Sequence, residues 1–484
     1  MKKRFLLFLL IFAMLIPSLA ACAGKTPADD TSGDDTNGSE TIPGVPTANF
    51  GGESVVIYGW AEATMPEFAV ELDGDDTPTE TALVRCHNYI ENALNVKLDY
   101  QLSADGNNVT GYRGEVEVVA RANSGDFDIL ASYSRSIAQC ALAGYASDLT
   151  DFPVLDLSAP WWSQSLISTS KIGDSLYYAS GDISTNLLYM MNCVFFNTSI
   201  LEAFELDDPY GLVNDNRWTQ DKMFEMASGQ YIDMNEDGKQ DWDDQFGLVF
   251  YRNNFDALFY GAGLTVIENV NGSPRVSDDY QGEKCYDWIV QMVNNCTIGK
   301  DCYQEAKTAE PRNCFGAGHS LFLVDSPFCV DQNLNNFEDC KYGIVPVPKW
   351  DSAQERYCTG MRYTYTLYTV FAGSKNATRA ATVMEGLAAG NYSIVSPAVF
   401  EDTMKYQYSL DSQAARMFDI IRENIVYDFG REFTDSFSTS TAQTYWNKIT
   451  TGDTAWISYV GRLIRGMETN LRGIMDGFAK NYGN

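Results

Sequence analysis

Short apolar runs alternate with amphipathic stretches along the first part of the chain. Apolar or alternating runs predict strands over 54–60, 96–100 and 126–131. Between them, apolar residues three or four positions apart predict helices from Glu80 to Leu94 and over 113–123. Strands that alternate with helices are typical of an α/β domain with a mostly parallel sheet.

The same alternation returns in the second half of the chain and predicts a second α/β domain. Its strand patterns cover 187–196, 320–325 and 342–348, and its helical patterns begin at Trp218 and cover 280–294, 414–424 and 456–482. A chain of 484 residues is too long for one ordinary hydrophobic core and suits two domains. Parallel sheets bind ligands beyond the carboxyl ends of their strands, which predicts a site near 59–62 and 132–135.

The N-terminus carries the pattern of an export signal. Three basic residues, Lys2 to Arg4, precede an apolar run over 5–16 that is too short to span a bilayer. The following Leu19-Ala20-Ala21-Cys22 resembles the lipobox of bacterial lipoproteins, which implies that residues 1–21 are removed and that Cys22 carries a lipid. The alternative is an ordinary cleaved signal in which Cys22 is incidental. Residues 22–49 are acidic and lack apolar periodicity, which predicts a disordered tether.

Composition excludes several classes of protein. The formal net charge of −31 argues against binding to nucleic acid or to an anionic membrane surface. The sequence contains two histidines, His87 and His319. This low number argues against histidine-based catalysis and against a metal site built from histidines. The sequence contains no nucleophile elbow, Walker loop, His-Glu-x-x-His helix or dinucleotide fingerprint. The chain is therefore predicted not to be an enzyme.

The state of the cysteines is left open by the sequence. Those after Cys22 are Cys86, Cys140, Cys193, Cys285, Cys296, Cys302, Cys314, Cys329, Cys340 and Cys358. An exported chain could pair them as disulfides, and Cys296 with Cys302 is the closest pair in sequence. The alternative is that most of them are small buried apolar residues.

An acidic segment over 233–244 has the spacing of a calcium-binding loop. The residues at its ligand positions are Asp233, Asn235, Asp237, Lys239, Asp241 and Asp244, where Lys239 offers its backbone carbonyl. Gly238 stands where such loops need a tight turn around the ion. The last ligand is Asp instead of Glu, which resembles dockerin-type loops. This pattern predicts a structural Ca²⁺ site, and the alternative is a solvated acidic turn.

A series of weak motifs, in this order and spacing, resembles family 1 extracellular solute-binding proteins of ABC importers, the group that contains maltose-binding protein. The motifs are Trp60 past the first strand, Asp126-Phe127-Asp128-Ile129-Leu130, Ala146-Ser147-Asp148-Leu149, 174–179, 188–197 running into Trp218-Thr219, 315–322 and 342–348. The resemblance spans about 50–370. It implies a two-lobed, type II periplasmic-binding-protein-like α/β fold, with lobes joined by hinge strands and the ligand in the cleft.

The resemblance also implies lobe boundaries. The chain crosses between the lobes near 182–185 and again near 359–362. Lobe 1 then contains residues 50–182 and about 360–410, and lobe 2 contains residues 183–359 and about 411–484.

A saccharide site needs aromatic platforms together with carboxylate, amide and Arg side chains. The loop positions that match the family pattern are Trp60, Glu62, Ser132, Tyr133, Arg135, Asp182 and Ser184 from one lobe, and Tyr260, Asp325 and Phe328 from the other. Further candidates are Trp161, Trp162, Arg362, Phe437 and Trp446.

The resemblance implies a lipid-anchored, extracytoplasmic monomer that delivers a mono- or oligosaccharide to ABC permease subunits and performs no chemistry. Two alternatives stay open. One is a surface glycan-binding lipoprotein without a transporter. The other is a lipid-anchored glycosidase, since 65 acidic residues could include a catalytic carboxylate pair.

Overall fold

Two separate β-sheets organise the part of the chain that the structure describes. The computed structural model describes residues 41–484 except 62, 64, 69, 75, 298–300, 306, 405–411, 438–445, 447 and 484. The predicted signal peptide, Cys22 and residues 22–40 of the predicted tether lie outside the described residues. The end of that tether differs from the prediction, because Ile42 is buried and its N–H donates to the Tyr89 hydroxyl at 3.0 Å.

The strands and helices alternate through most of the chain. The strands are β1 Glu53–Trp60, β2 Val96–Ser103, β3 Ile129–Tyr133, β4 Cys193–Asn197, β5 Phe246–Tyr251, β6 Ile267–Val270, β7 Ser273–Val276, β8 Cys302–Glu305, β9 Ser320–Asp325, β10 Tyr342–Pro346, β11 Thr359–Gly360, β12 Thr366–Val370 and β13 Ile425–Val426. The α-helices of the described residues are α1 Pro78–Leu94, α2 Val109–Ala122, α3 Ser134–Leu142, α4 Gln164–Ser170, α5 Thr185–Tyr189, α6 Thr198–Ala203, α7 Pro209–Asn214, α8 Gln220–Ala227, α9 Phe255–Gly261, α10 Asp278–Gln281, α11 Glu283–Cys296, α12 Ala309–Gly316, α13 Phe328–Gln332, α14 Ala377–Met404, α15 Ser412–Glu423, α16 Phe429–Glu432 and α17 Trp456–Tyr482.

The first sheet has the order β12-β3-β1-β2 and forms the centre of lobe 1. Strand β1 runs parallel to both β2 and β3, as predicted, whereas β12 is antiparallel to β3. Helix α1 begins where the Thr77 hydroxyl accepts the Glu80 N–H and the Glu80 carboxylate accepts the Thr77 N–H. It ends at Asn95, which adopts the left-handed conformation that stops a helix.

The second sheet has the order β10-β4-β9-β5-β8 and forms the centre of lobe 2. Strand β5 is parallel to β8 and β9, but β4 is antiparallel to β9 and β10, so this sheet is mixed. The strand predicted over 187–196 is wrong in its first half. The Ser184 hydroxyl accepts the Leu187 N–H at 2.9 Å and starts helix α5, and the strand begins at Cys193.

The segments that pass between the two sheets are joined by backbone hydrogen bonds. The Arg362 N–H donates to the Met190 carbonyl at 2.9 Å, and the Asn192 N–H donates to the Gly360 carbonyl at 3.0 Å. Strand β13 adds a third segment, because it pairs in parallel with β11. The predicted two-lobed α/β fold with hinge strands is confirmed, while the lobe boundaries stay a prediction.

The C-terminal helix α17 contacts both lobes. At its start, the Trp456 indole N–H donates to the Tyr280 carbonyl of lobe 2 at 3.1 Å. At its end, the Tyr482 hydroxyl donates to the Ala141 carbonyl of lobe 1 at 2.8 Å. This helix was predicted over the same residues, but its contact with lobe 1 was not.

The ten cysteines of the described residues are all buried free thiols. This agrees with the interpretation of the cysteines as small apolar core residues. Within the described part of the chain, we find no helix that is both long and apolar enough to traverse a lipid bilayer.

Candidate ligand-binding cleft

Two stacked aromatic residues mark the edge of lobe 1 that faces the cleft. Trp60 ends β1 and Tyr133 ends β3, and these neighbouring parallel strands bring their ends together. Their ring centroids lie 5.9 Å apart with an interplanar angle of 18°. The Trp60 indole N–H donates to the Thr366 hydroxyl at 3.1 Å. The two rings therefore form one fixed, largely buried aromatic platform.

Arg135 links this platform to a segment near the C-terminus. It lies in the first turn of α3, and its guanidinium lies 5.7 Å from the centroid of the Tyr133 ring. Its Nε donates to Asp435 Oδ2 at 2.7 Å, and a second nitrogen forms an ion pair with the other oxygen of the same carboxylate. Both side chains of the pair are partly exposed.

A second arginine, Arg431, is buried between aromatic rings. The Arg431 guanidinium lies 3.9 Å from the Tyr363 ring centroid and 5.6 Å from that of Tyr260. It forms an ion pair with Asp256 at 3.2 Å, and the Tyr363 hydroxyl donates to the same carboxylate at 3.0 Å. Burial raises the pKa of Asp256 above its usual value, although Arg431 opposes the shift.

Asp325 forms the lobe 2 edge of the cleft, where β9 ends. It is buried and pairs with two arginines, Arg312 and Arg362. Both guanidiniums lie near the ring of Phe328, at 5.2 and 5.7 Å from its centroid. Burial alone would raise the pKa of Asp325, but the two positive charges hold it below its usual value.

A buried segment over 428–432 forms hydrogen bonds with residues of both lobes. The Asp428 carboxylate accepts backbone N–H groups from Val266 at 2.6 Å, Ile267 at 3.1 Å and Gly430 at 2.8 Å. Burial raises the pKa of Asp428 to about 6 in spite of these hydrogen bonds. The segment is thereby tied to lobe 2.

The same segment is tied to lobe 1 through Glu432. Its carboxylate accepts hydrogen bonds from the hydroxyls of Tyr178 and Ser170, the latter at 3.1 Å. Burial raises the pKa of Glu432 to about 8, and these two hydroxyls only partly oppose the shift. A carboxyl group in such a place favours its protonated form.

The structure places six of the predicted ligand residues in three neighbouring sets of contacts, around Tyr133, Arg431 and Asp325. These are Trp60, Tyr133, Arg135, Tyr260, Asp325 and Phe328. Arg362, a further candidate, belongs to the set around Asp325. Ser132 lies inside β3 and is buried. Glu62 lies outside the described residues.

Asp182 lies elsewhere. It is buried, accepts from the Ser396 hydroxyl and forms an ion pair with Arg422. With Trp162 it lines a pocket of about 560 Å³ that also includes Ile425 of β13. Both Trp161 and Trp162 donate their indole N–H groups to Glu385, at 3.0 and 2.9 Å.

The remaining candidates lie apart from the main contacts. Ser184 caps α5. Phe437 lines a small pocket beside Ile267 and Tyr280. The Trp446 ring lies 6.5 Å from that of Phe255 in lobe 2.

Several central residues of the cleft were not singled out from the sequence. They are Asp256, Arg312, Tyr363, Arg431 and Asp435. Tyr363 directly follows the crossing predicted at 359–362, which was a usable signal. Arg431 and Asp435 lie beyond the family resemblance, and the cluster of charges among aromatic residues over 428–437 was the signal available there.

The predicted calcium loop forms an exposed turn before β5. Gly238 has φ +74°, and its N–H donates to Asp233 Oδ2 at 3.0 Å. Asp237 accepts the Lys239 N–H at 2.8 Å, and the buried Asp244 accepts the Met234 N–H at 3.1 Å. In the described part of the chain, no three Asp, Glu, His or Cys side chains are arranged to hold a metal ion. The carboxylates of this turn accept backbone N–H groups, and Ca²⁺ binding stays a prediction.

Comparisons with known proteins agree on the fold. No protein-family model matches the chain, and no curated protein sequence matches it. Solved structures do match. A cyclo/maltodextrin-binding protein in complex with maltotetraose has a TM-score of 0.53 and 12% identity, over 89% of this chain and 98% of the other.

Two further structures match at a similar level. An ABC substrate-binding protein from Listeria monocytogenes in complex with cycloalternan has a TM-score of 0.50 and 12% identity, over 89% and 99% of the two chains. A maltose-bound protein from T. maritima has a TM-score of 0.50 and 14% identity, over 88% and 99%. The resemblance noted in the sequence is thus confirmed for the fold: the chain has the two-lobed fold of the maltodextrin-binding proteins.

Proposed function

We propose that this chain is an extracytoplasmic solute-binding protein that captures a saccharide between its lobes and delivers it to an ABC importer. One observation carries the proposal. Aromatic rings, carboxylates and guanidiniums form three sets of contacts, around Tyr133, Arg431 and Asp325. The Ser134 hydroxyl, next to Tyr133, donates to the Tyr363 carbonyl at 3.2 Å, and Arg362 and Tyr363 are neighbours in the chain, so the three sets lie side by side.

This set of groups suits a sugar. Ring faces pack on the apolar faces of pyranose rings, and charged side chains form paired hydrogen bonds with hydroxyls. The ligands named with the matching structures, maltotetraose, cycloalternan and maltose, are saccharides. A ligand that contacts both lobes favours their closed arrangement, because it gains contacts there that it lacks in an open one.

A thermal-melt screen against neutral and acidic oligosaccharides tests the proposal. A bound saccharide at one hundred times its Kd stabilises the native state by about 2.7 kcal/mol, which raises the melting midpoint. We expect Tyr133→Ala to weaken binding at least tenfold, because it removes half of the stacked platform. Tyr286→Ala, at an exposed aromatic of α11, is the matched control and should bind normally. A midpoint raised by a peptide or polyamine and by no saccharide would contradict the proposal.

We also propose that Cys22 carries the lipid that holds the protein at the outer face of a bacterial membrane. The lipobox pattern and the acidic tether support this, and at least two acyl chains make such an anchor durable. A Cys22→Ser protein should appear in the culture medium, whereas the unchanged protein should remain with the membrane fraction.

We further propose that the loop over 233–244 binds Ca²⁺ once its carboxylates turn from backbone N–H groups to the ion. The Gly238 turn and a buried Asp233 oxygen without a hydrogen-bond partner support this. We expect Ca²⁺ to raise the melting midpoint relative to a chelator, and Asp237→Asn to reduce that increase. Asp243→Asn, at a loop position that supplies no ligand, should leave the increase unchanged. Equal midpoints with Ca²⁺ and chelator would contradict the site.

A further inference from the structure

Two arginines share one buried carboxylate at the lobe 2 edge of the cleft. Arg312 donates to Asp325 from Nε at 2.7 Å and from Nη2 at 3.2 Å. Arg362 donates to the same carboxylate from Nη1, and the Ser326 N–H donates to it at 2.8 Å. An ionised carboxylate has about four acceptor positions, so these four donors fill Asp325.

This arrangement leaves one positive charge in excess. Arg135 and Arg431 each have a carboxylate of their own, Asp435 and Asp256. Within the described residues, Arg312 and Arg362 have only Asp325 between them. Burial lowers the pKa of Arg362 below its usual value, and the neighbouring Arg312 lowers it further although Asp325 opposes them. Such a cation gains from a second anion.

Arg312 and Arg362 differ in how many of their guanidinium nitrogens donate hydrogen bonds within the protein. Arg312 places two nitrogens on Asp325, and its third, Nη1, donates to Asn333 Oδ1 at 3.2 Å. Arg362 places one nitrogen on Asp325 and is the more exposed, at 12% against 4% of the side chain. The donors left for an incoming group therefore belong to Arg362.

Two buried donors without hydrogen-bond partners follow strands β5 and β9, at the sheet edge where Asp325 lies. Ser326 is wholly buried, and its hydroxyl has no hydrogen-bond partner. Arg252 Nε is likewise buried without a partner. Strands β5 and β9 are parallel, with Phe250 opposite Val324, so Arg252 and Ser326 follow the two strands at the same level. A buried polar group without a partner is costly, which points to an acceptor supplied from outside the chain.

We propose that the ligand is an acidic saccharide whose carboxylate or sulfate ester binds Arg362. This rests on the proposed function and specifies the class of sugar. The guanidinium fork matches the planar oxygen pair of a carboxylate and two oxygens of a sulfate. The Phe328 ring, next to both guanidiniums, holds them in place before the ligand arrives.

Isothermal titration with three probes tests this inference. Trigalacturonate supplies carboxylates, neocarrabiose 4-sulfate supplies a sulfate without a carboxylate, and maltotriose is neutral. We expect one anionic probe to bind at least tenfold more tightly than maltotriose, and its identity distinguishes carboxylate from sulfate. Arg362→Gln should remove that advantage, so that the anionic probe binds the variant no more tightly than maltotriose does. Arg362→Lys, which keeps the charge, should retain part of it.

The control is Arg275→Gln, at an exposed surface pair with Glu268, which should change none of the affinities. If maltotriose binds as tightly as both anionic probes, or if Arg362→Gln weakens all probes equally, the inference is wrong and the proposed function stands. If the folded wild-type protein binds none of the three probes at millimolar concentration, both the inference and the proposed function are contradicted.

Discussion

Asp325→Ala is expected to lower the free energy of unfolding by about 3–5 kcal/mol, because it leaves two buried guanidiniums without a counter-charge. Arg312 is 4% exposed and Arg362 12% exposed at the side chain, so water replaces only a small part of the interaction with the lost carboxylate. The Ser326 N–H also loses its acceptor. Urea denaturation followed by circular dichroism measures the change.

The matched control for this variant is Asp435→Ala. Asp435 also pairs with an arginine of the cleft, but both side chains are 27–30% exposed. Exposed ion pairs contribute about 0–1 kcal/mol, so we expect a loss below about 1 kcal/mol. Equal losses for the two variants would show that Asp325 is not the buried counter-charge that the geometry indicates.

Glu432→Gln is expected to remove a large part of the pH dependence of stability. The pKa of Glu432 is raised to about 8 in the folded protein, mainly by burial, whereas a Glu in the unfolded chain titrates near its ordinary value of about 4.3. The folded state therefore holds the extra proton between these two values. The contribution of Glu432 to the free energy of unfolding is therefore complete below the unfolded pKa. It falls as the pH rises between the two pKa values and is lost once the pH has passed the folded one.

The expected size follows from the same linkage. Between pH 5.5 and 8.5, Glu432 should account for a loss of about 3 kcal/mol, because each pH unit below the folded pKa contributes about 1.4 kcal/mol. Glutamine keeps the shape of the side chain and stays neutral. Over this pH range, the free energy of unfolding of the variant should therefore fall by about 3 kcal/mol less than that of the wild type. Burial also raises the pKa of Glu67 to about 7 and that of Asp428 to about 6, so some pH dependence should remain.

Denaturation curves at pH 5.5, 7.0 and 8.5 provide the measurement. Glu225→Gln, at an exposed pair with Lys222, is the control and should follow the wild type at every pH. Identical pH profiles for wild type and Glu432→Gln would contradict the assignment of a buried, protonated carboxyl group to this position.

Local patterns predicted most of the elements. The buried strands were predicted from short continuous apolar runs. Helix α17 was predicted because one buried face gives apolar residues a period of 3.6 along a helix. The segment over 187–196 was mistaken for one strand because its apolar run is continuous. There, the Ser184 cap starts a short helix that an apolar count does not reveal.

The cleft was less predictable because it depends on pairing between distant segments. Trp60, Tyr133 and Asp325 follow predicted strands, and the ends of neighbouring strands meet at one edge. Arg431 and Asp435 follow strand β13, which pairs with β11 although the two strands lie about 65 positions apart in sequence. This pairing brings the two residues to the candidate site. No local period encodes that contact. Asp182 was expected in the cleft, but its ion pair with Arg422 places it beside the other pocket.

Hydrogen–deuterium exchange with and without a bound saccharide tests most directly the claim that the ligand lies between the lobes. The account predicts slower exchange on both sides of the cleft at once. In lobe 1, the protected segment should be 132–136. In lobe 2, the protected segments should be 252–260 and 325–330, together with 428–432 between the lobes. Protection confined to one lobe, or to the pocket beside Asp182 and Arg422, would contradict the account.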